Sequence, residues 1–136
     1  MKLRLLVLAL GSLLSFGSFG QTTANYPNKT VRIVVPFAAG GATDIVTRIL
    51  AQKLTELWGQ SVVVENRGGA GGNIGAAEVV KAAPDGYRLM VGNSQTHGTN
   101  QTLFPKLPYD LVKDVTPIAM LARTKNVLAV AGNSQY

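Results

Sequence analysis

The chain has 136 residues, 46% of them hydrophobic and 15% charged, with a formal net charge of +6 and no cysteine. That length and composition support one modest globular domain and exclude a disordered chain. The lack of cysteine excludes disulfides, thiol chemistry and a lipid-bearing cysteine behind a leader. The positive charge is not a nucleic-acid signature. Lys and Arg are scattered, without a run and without interleaved aromatics, so no nucleic-acid partner is expected.

Residues 1–4 are positive, residues 5–16 are apolar, and Ser18 and Gly20 set small side chains at the positions a signal peptidase reads. The pattern predicts a secretory signal peptide over residues 1–20, too short for a membrane span of ~20 apolar residues. Lys2 and Arg4 would leave with it. The remaining chain is expected to be exported, with no insertion into the membrane after cleavage.

A polar lead-in covers residues 21–29. Residues 30–35 form a β-branched run, the mark of a strand buried on both faces. Over residues 43–58 the apolar side chains Ile45, Val46, Ile49, Leu50, Leu54 and Leu57 recur at helical spacing, which predicts one stripe on a helix. Thr43 is its expected N-cap and Gly59 its C-terminal stop. A second strand is expected over 61–65 and a Gly-rich turn over 66–72. A short helix of small residues follows over 73–82, halted by Pro84. Asp85 and Gly86 mark a turn, and 87–91 is the third strand. Residues 93–100 read as a polar loop, and 103–110, with two prolines, as irregular chain. Two further strands are expected over 117–121 and 127–131. The order β-α-β-α-β, with long crossovers, predicts a parallel sheet between helices, an α/β fold.

Ligands of open parallel sheets bind beyond the carboxyl ends of the strands. Three strand-to-helix turns fall at that edge, 36–43, 66–72 and 92–98, and all three are rich in small or polar residues. At the first, Ala38, Ala39, Gly40, Gly41 and Ala42 would let a ligand approach the backbone. The opening amides of a helix have no internal partner and carry the positive end of its dipole. A carboxylate or phosphate could be held there, directly or through water. Gly40 and Gly41 could equally serve only a tight turn with positive φ; composition leaves both readings open. Asp44 also has several readings. It could compete with an anionic ligand, anchor the turn by accepting N–H bonds, face an ammonium group, or simply belong to a helix cap with Thr43.

Other chemistries find less support. The run from Gly68 to Gly75 breaks the dinucleotide fingerprint because Ile74 stands where a glycine is required, and no acid ends the next strand. A phosphate-binding loop ending in Gly-Lys-Ser or Gly-Lys-Thr is absent. With one histidine, no cysteine and seven dispersed acids, a metal site is not expected. Ser94 and His97 lack the G-x-S-x-G elbow of a hydrolase and read as parts of a polar ligand loop. A Rossmann-like nucleotide-binding domain and a small periplasmic hydrolase stand as the alternatives.

The succession VRIVVPFAAGGATD, GQSVVVENRGGAGGNIGA, PDGYRLMVGN and LPYDLVKDVTPIAML resembles the Bug family, the extracytoplasmic substrate-binding receptors of tripartite tricarboxylate transporters. The resemblance runs from about Tyr26 to Val130. It implies the parallel-sheet lobe of a two-lobed, type II-like periplasmic binding protein. The lobes of such a receptor close on a small carboxylate: citrate, another di- or tricarboxylate, aspartate, glutamate or an aromatic acid. The first turn would grip the carboxylate through backbone groups and ordered water, with Phe37, Ala39, Gly40, Gly41, Thr43 and Asp44 in contact. Asn93, Ser94, His97 and Thr99 would supply the second loop. The resemblance implies no catalytic residue and no cofactor, and the membrane subunits of the transporter as partners. It divides the chain into a signal peptide (1–20), a first ligand-binding lobe (25–122) and the start of an inter-lobe crossover (123–136). Members of the family are longer. The expectation is therefore a truncated receptor, its second lobe missing, that holds its ligand weakly or not at all.

Overall fold

A computed structural model of the chain describes residues 25–110, 112–125 and 129–135; the signal peptide expected over 1–20 lies outside the described residues. The elements are β1 (Val31–Val35), α1 (Ala42–Trp58), β2 (Val62–Asn66), a 3-10 turn (Ala70–Gly72), α2 (Asn73–Val80), β3 (Arg88–Met90), a turn with π-helical bonding (Gln95–Thr99) and α3 (Asn100–Leu103). The three strands form one parallel sheet in the order β2-β1-β3, with Ile33 level with Val64 and Leu89.

Strand alternation assigns the two faces of the sheet. Val31, Ile33 and Val35 point to one face together with Asn66 of β2, and this is the α1 face, because Asn66 bonds Asp44 and Arg48 of that helix. Arg32, Val34, Glu65 and Arg88 point to the other face, where Glu78 of α2 pairs with Arg88. Right-handed crossovers require this arrangement, since the chain steps from β1 to β2 and then back across β1 to β3. Covered on both faces and both edges, β1 forms the core: Val31, Ile33, Val34 and Val35 are at most 1% exposed.

The first three of the five expected strands and the two crossover helices are present, with ends moved by a residue or two. Gly59 closes α1 in the left-handed conformation, its N–H donating to Thr55 O at 3.0 Å. Five expectations are corrected. Thr43 is not the N-cap; Gly41 is, in an extended conformation with no side-chain cap, and Thr43 lies inside the first turn. The apolar stripe of α1 is buried only in part, with Val46, Leu50 and Leu54 half-buried. The buried positions are Asp44, Thr47 and Ala51, while Ile49 is 61% and Leu57 78% exposed. Residues 93–100 are not a loop but a helical turn, because Asn93 Oδ1 accepts the amides of Gln95 (2.9 Å) and Thr96 (3.4 Å) and starts the coil. Residues 117–121 form no strand. They meet no ladder partner among the described residues, and Ile118 and Met120 are exposed. Of the strand expected over 127–131, residues 127 and 128 lie outside the described residues and 129–131 form no strand. Among the described residues no helix is long and apolar enough to cross a membrane.

Candidate ligand-binding site

The first turn begins where Pro36 ends β1. Pro36 is buried and Phe37 half-buried, and Ala38 through Ala42 are exposed. Gly40 has φ +85, and no heavy atom stands within 4 Å of the place a Cβ would take. Gly41 has φ −75, which any residue adopts, and a Cβ there would touch only Ala38 O at 3.6 Å. One glycine therefore serves the backbone, and the space above both is open. The first intrahelical bond of α1 is Ile45 N–H to Gly41 O at 3.0 Å. The amides of Ala42, Thr43 and Asp44 meet no acceptor among the described residues. They are free donors at the positive end of a 17-residue helix.

Of the readings open for Asp44, the geometry realises the anchor. The residue is 2% exposed. Its Oδ2 accepts the Gly40 amide at 2.8 Å and Arg48 Nε at 3.0 Å, and its Oδ1 accepts Asn66 Nδ2 at 2.9 Å. The Arg48 hydrogen bond first, then the bonds from Gly40 and Asn66, hold this carboxyl down at about 2 against an ordinary 3.8. Asn66 Nδ2 also donates to Phe37 O at 3.2 Å, and Arg48 Nη2 donates to Asn66 Oδ1 at 2.9 Å. Sequence reasoning missed both partners. Arg48 stands four residues after Asp44 on one helix, a spacing that could have revealed it; Asn66 comes from the neighbouring strand.

The second expected contact loop lies at the same edge of the sheet. Asn93, Ser94, His97 and Thr99 are exposed, while Thr96 between them is fully buried. Thr96 Oγ1 lies 2.9 Å from His97 Nδ1, and the His97 amide donates to Asn93 O at 3.0 Å. The two loops meet across Gly72, which has φ +92. A Cβ there would stand 2.5 Å from Thr96 Cγ2 and 3.3 Å from Pro36 O. Behind them lies a buried amide network that the sequence did not disclose. Asn100 Nδ2 donates to Gly71 O (2.9 Å) and Asn73 Oδ1 (2.7 Å), and Tyr109 OH donates to the same Asn73 oxygen at 2.7 Å.

An open hollow of about 530 Å³ lies elsewhere, along α2 between Ile74, Ala77, Phe104 and Pro108. The first turn is an open edge rather than a cavity, as a seat built from the start of a helix would be. Among the described residues no three His, Cys, Asp or Glu side chains come together to hold a metal ion.

A family profile described as "Tripartite tricarboxylate transporter family receptor" matches residues 46–136. BugT of Bordetella pertussis is 40% identical over 104 residues, covering 76% of this chain and 32% of its own length. MatC of Rhodopseudomonas palustris, solved with bound malate, superposes with a TM-score of 0.68 at 49% identity, over 71% of this chain and 33% of that one. A second protein of R. palustris, Rpa4515 with adipate, superposes with a TM-score of 0.62 at 41% identity, over 64% of this chain and 29% of that one. The chain spans 29–33% of the length of the curated relatives it matches.

Proposed function

The chain belongs to the tripartite tricarboxylate transporter receptor family, and on that premise we propose that its first strand-to-helix turn seats one carboxylate of a small dicarboxylate. The carrying observation is the set of amides at Ala42, Thr43 and Asp44 that meet no acceptor, at the end of an exposed turn and backed by an acid whose charge Arg48 already balances. A ligand carboxylate takes these donors directly or through water, and Phe37, Ala39, Gly40 and Gly41 shape the approach. Asn93, Ser94, His97 and Thr99 offer hydroxyl, amide and imidazole groups to the rest of the ligand. Malate and adipate, found in the two R. palustris relatives, are the ligand class that supports this reading. The work is capture without bond-making, so no side chain is assigned a catalytic role. Periplasmic placement follows from the apolar leader of residues 1–20, and delivery is to the membrane subunits of a tripartite transporter.

An open edge leaves the bound acid in contact with water, where charge interactions are several-fold weaker than in a closed site. Weak, millimolar binding is expected of this chain, and amide chemical shifts measured during a malate titration detect it. The shifts should centre on Ala42 and Thr43 and reach 93–99. Ala42→Pro is the sharp variant. Proline is at home in the first helical position and removes one donor without disturbing the helix. Affinity should fall about tenfold, the loss expected for one hydrogen bond to a charged group. Shifts confined to other parts of the chain, or an unchanged affinity in Ala42→Pro, would refute the seat.

A further inference from the structure

We infer that Asn66 is the positioning residue of this seat, the side chain that decides which amides of the turn face a ligand. The inference rests on the reading of the turn as a carboxylate seat. Asn66 is the last paired residue of β2 and stands level with Val35, the last residue of β1, so its side chain lies beside the chain as it enters the turn. From there it reaches two points of the turn at once. One amide nitrogen donates to Phe37 O at 3.2 Å and to Asp44 Oδ1 at 2.9 Å. Its oxygen accepts Arg48 Nη2 at 2.9 Å, and Arg48 Nε and the Gly40 amide share Asp44 Oδ2 at 3.0 and 2.8 Å. The turn is thereby held at its entry, its apex and its exit into the helix.

Two consequences bear on binding. The Gly40 N–H is turned inward onto Asp44, so the donors left for a ligand are the amides that follow it. The Asp44 carboxylate is matched by Arg48 before any ligand arrives, so a buried negative charge at the helix start does not repel an incoming anion. The position requires an amide. It must donate to a carbonyl and a carboxylate and accept from a guanidinium; a carboxylate at the same position would lack the donor, and an aliphatic side chain would lack both groups.

Asn66→Asp in the full chain tests this, read by hydrogen exchange of the Gly40 amide and by malate titration followed through the Ala42 and Thr43 amide shifts. Gly40 exchange should accelerate at least about tenfold while the β1 amides keep their protection, and malate affinity should fall about tenfold. Arg48→Lys keeps the charge on a half-exposed side chain and removes the bond to Asn66. It should move both readouts the same way by less, and it decides the matter alone if Asn66→Asp does not fold. Unchanged Gly40 exchange, or acceleration shared equally with β1, would overturn the inference, because a merely structural residue loosens the whole sheet. If malate produces no shifts at the turn even in the parent chain, the seat reading is the one that fails, and Gly40 exchange still judges Asn66.

Discussion

The turns at 36–44 and 66–72 are both built from small residues, lie at the same edge of the same sheet and lead into helices, yet they do opposite work. Around Gly40 there is open space, and the start of α1 presents unpaired amides to it. Around Gly72 there is none, since Thr96 and Pro36 fill the volume where a side chain would begin. Small residues at a strand end thus mark either room left for a ligand or room already taken by protein. Only the neighbouring atoms distinguish the two, and the crowded turn brings the open one within reach of the second loop.

The largest effect should come from adding a methyl group to the crowded turn. Gly72→Ala places a Cβ on a residue with positive φ and drives it into Thr96, whose side chain is fully buried and has nowhere to move. Backbone strain and overpacking together should destabilise the fold by about 3 kcal/mol, measured by chemical denaturation. A loss below about 1 kcal/mol would mean that the two turns are less different than their neighbours suggest.

The sequence disclosed β1 and β2 because their β-branched runs are local signals, and the C-terminus of α1 because Gly59 is one as well. The turn proposed as an anion seat stands out for the same reason: a β-branched run, a proline, five small residues and a polar helix start occur in immediate succession. The rest depends on partners far apart in the chain. Asn66 lies 22 residues from Asp44, and Tyr109 lies 36 residues from Asn73. Neither contact has a periodic trace. The facing of α1 was legible only in part: hydrophobic periodicity locates a stripe whose Val46, Leu50 and Leu54 are half-buried, whereas the buried positions Asp44, Thr47 and Ala51 are polar or small and leave no apolar trace. The helical turn at 95–103 was hidden because Asn93 and Thr96 start it with side-chain hydrogen bonds in place of apolar spacing.

Acid should weaken the open turn before the crowded one. Asp44 has a folded pKa of about 2 against 3.8 for the free side chain, so its contribution to stability is fully present above about pH 4. As pH falls from there toward 2, the unfolded chain takes up the proton more readily and that contribution is lost. Protection of the Gly40 amide, taken relative to its intrinsic exchange rate at each pH, should fall through this window while β1 stays protected. In Asp44→Asn, the acid-induced part of the change at Gly40 should disappear. An equal loss of protection across β1 would show that acid acts on the whole sheet rather than on this turn.

The finest division lies inside the open turn, between its two adjacent glycines. Gly40→Ala meets no atom, so its penalty is the positive φ alone, about 1 kcal/mol. Gly41→Ala keeps an accessible φ and touches only Ala38 O at 3.6 Å, so stability should change by less than about 0.5 kcal/mol. The new methyl group of Gly41→Ala stands beside the free amides of α1, where it narrows the approach of a carboxylate. A small loss of malate affinity without a loss of stability is therefore expected at Gly41, and a loss of stability at Gly40. If the two variants behave alike in both measurements, the glycines serve only the bend of the chain, and the clearance above them has no part in binding.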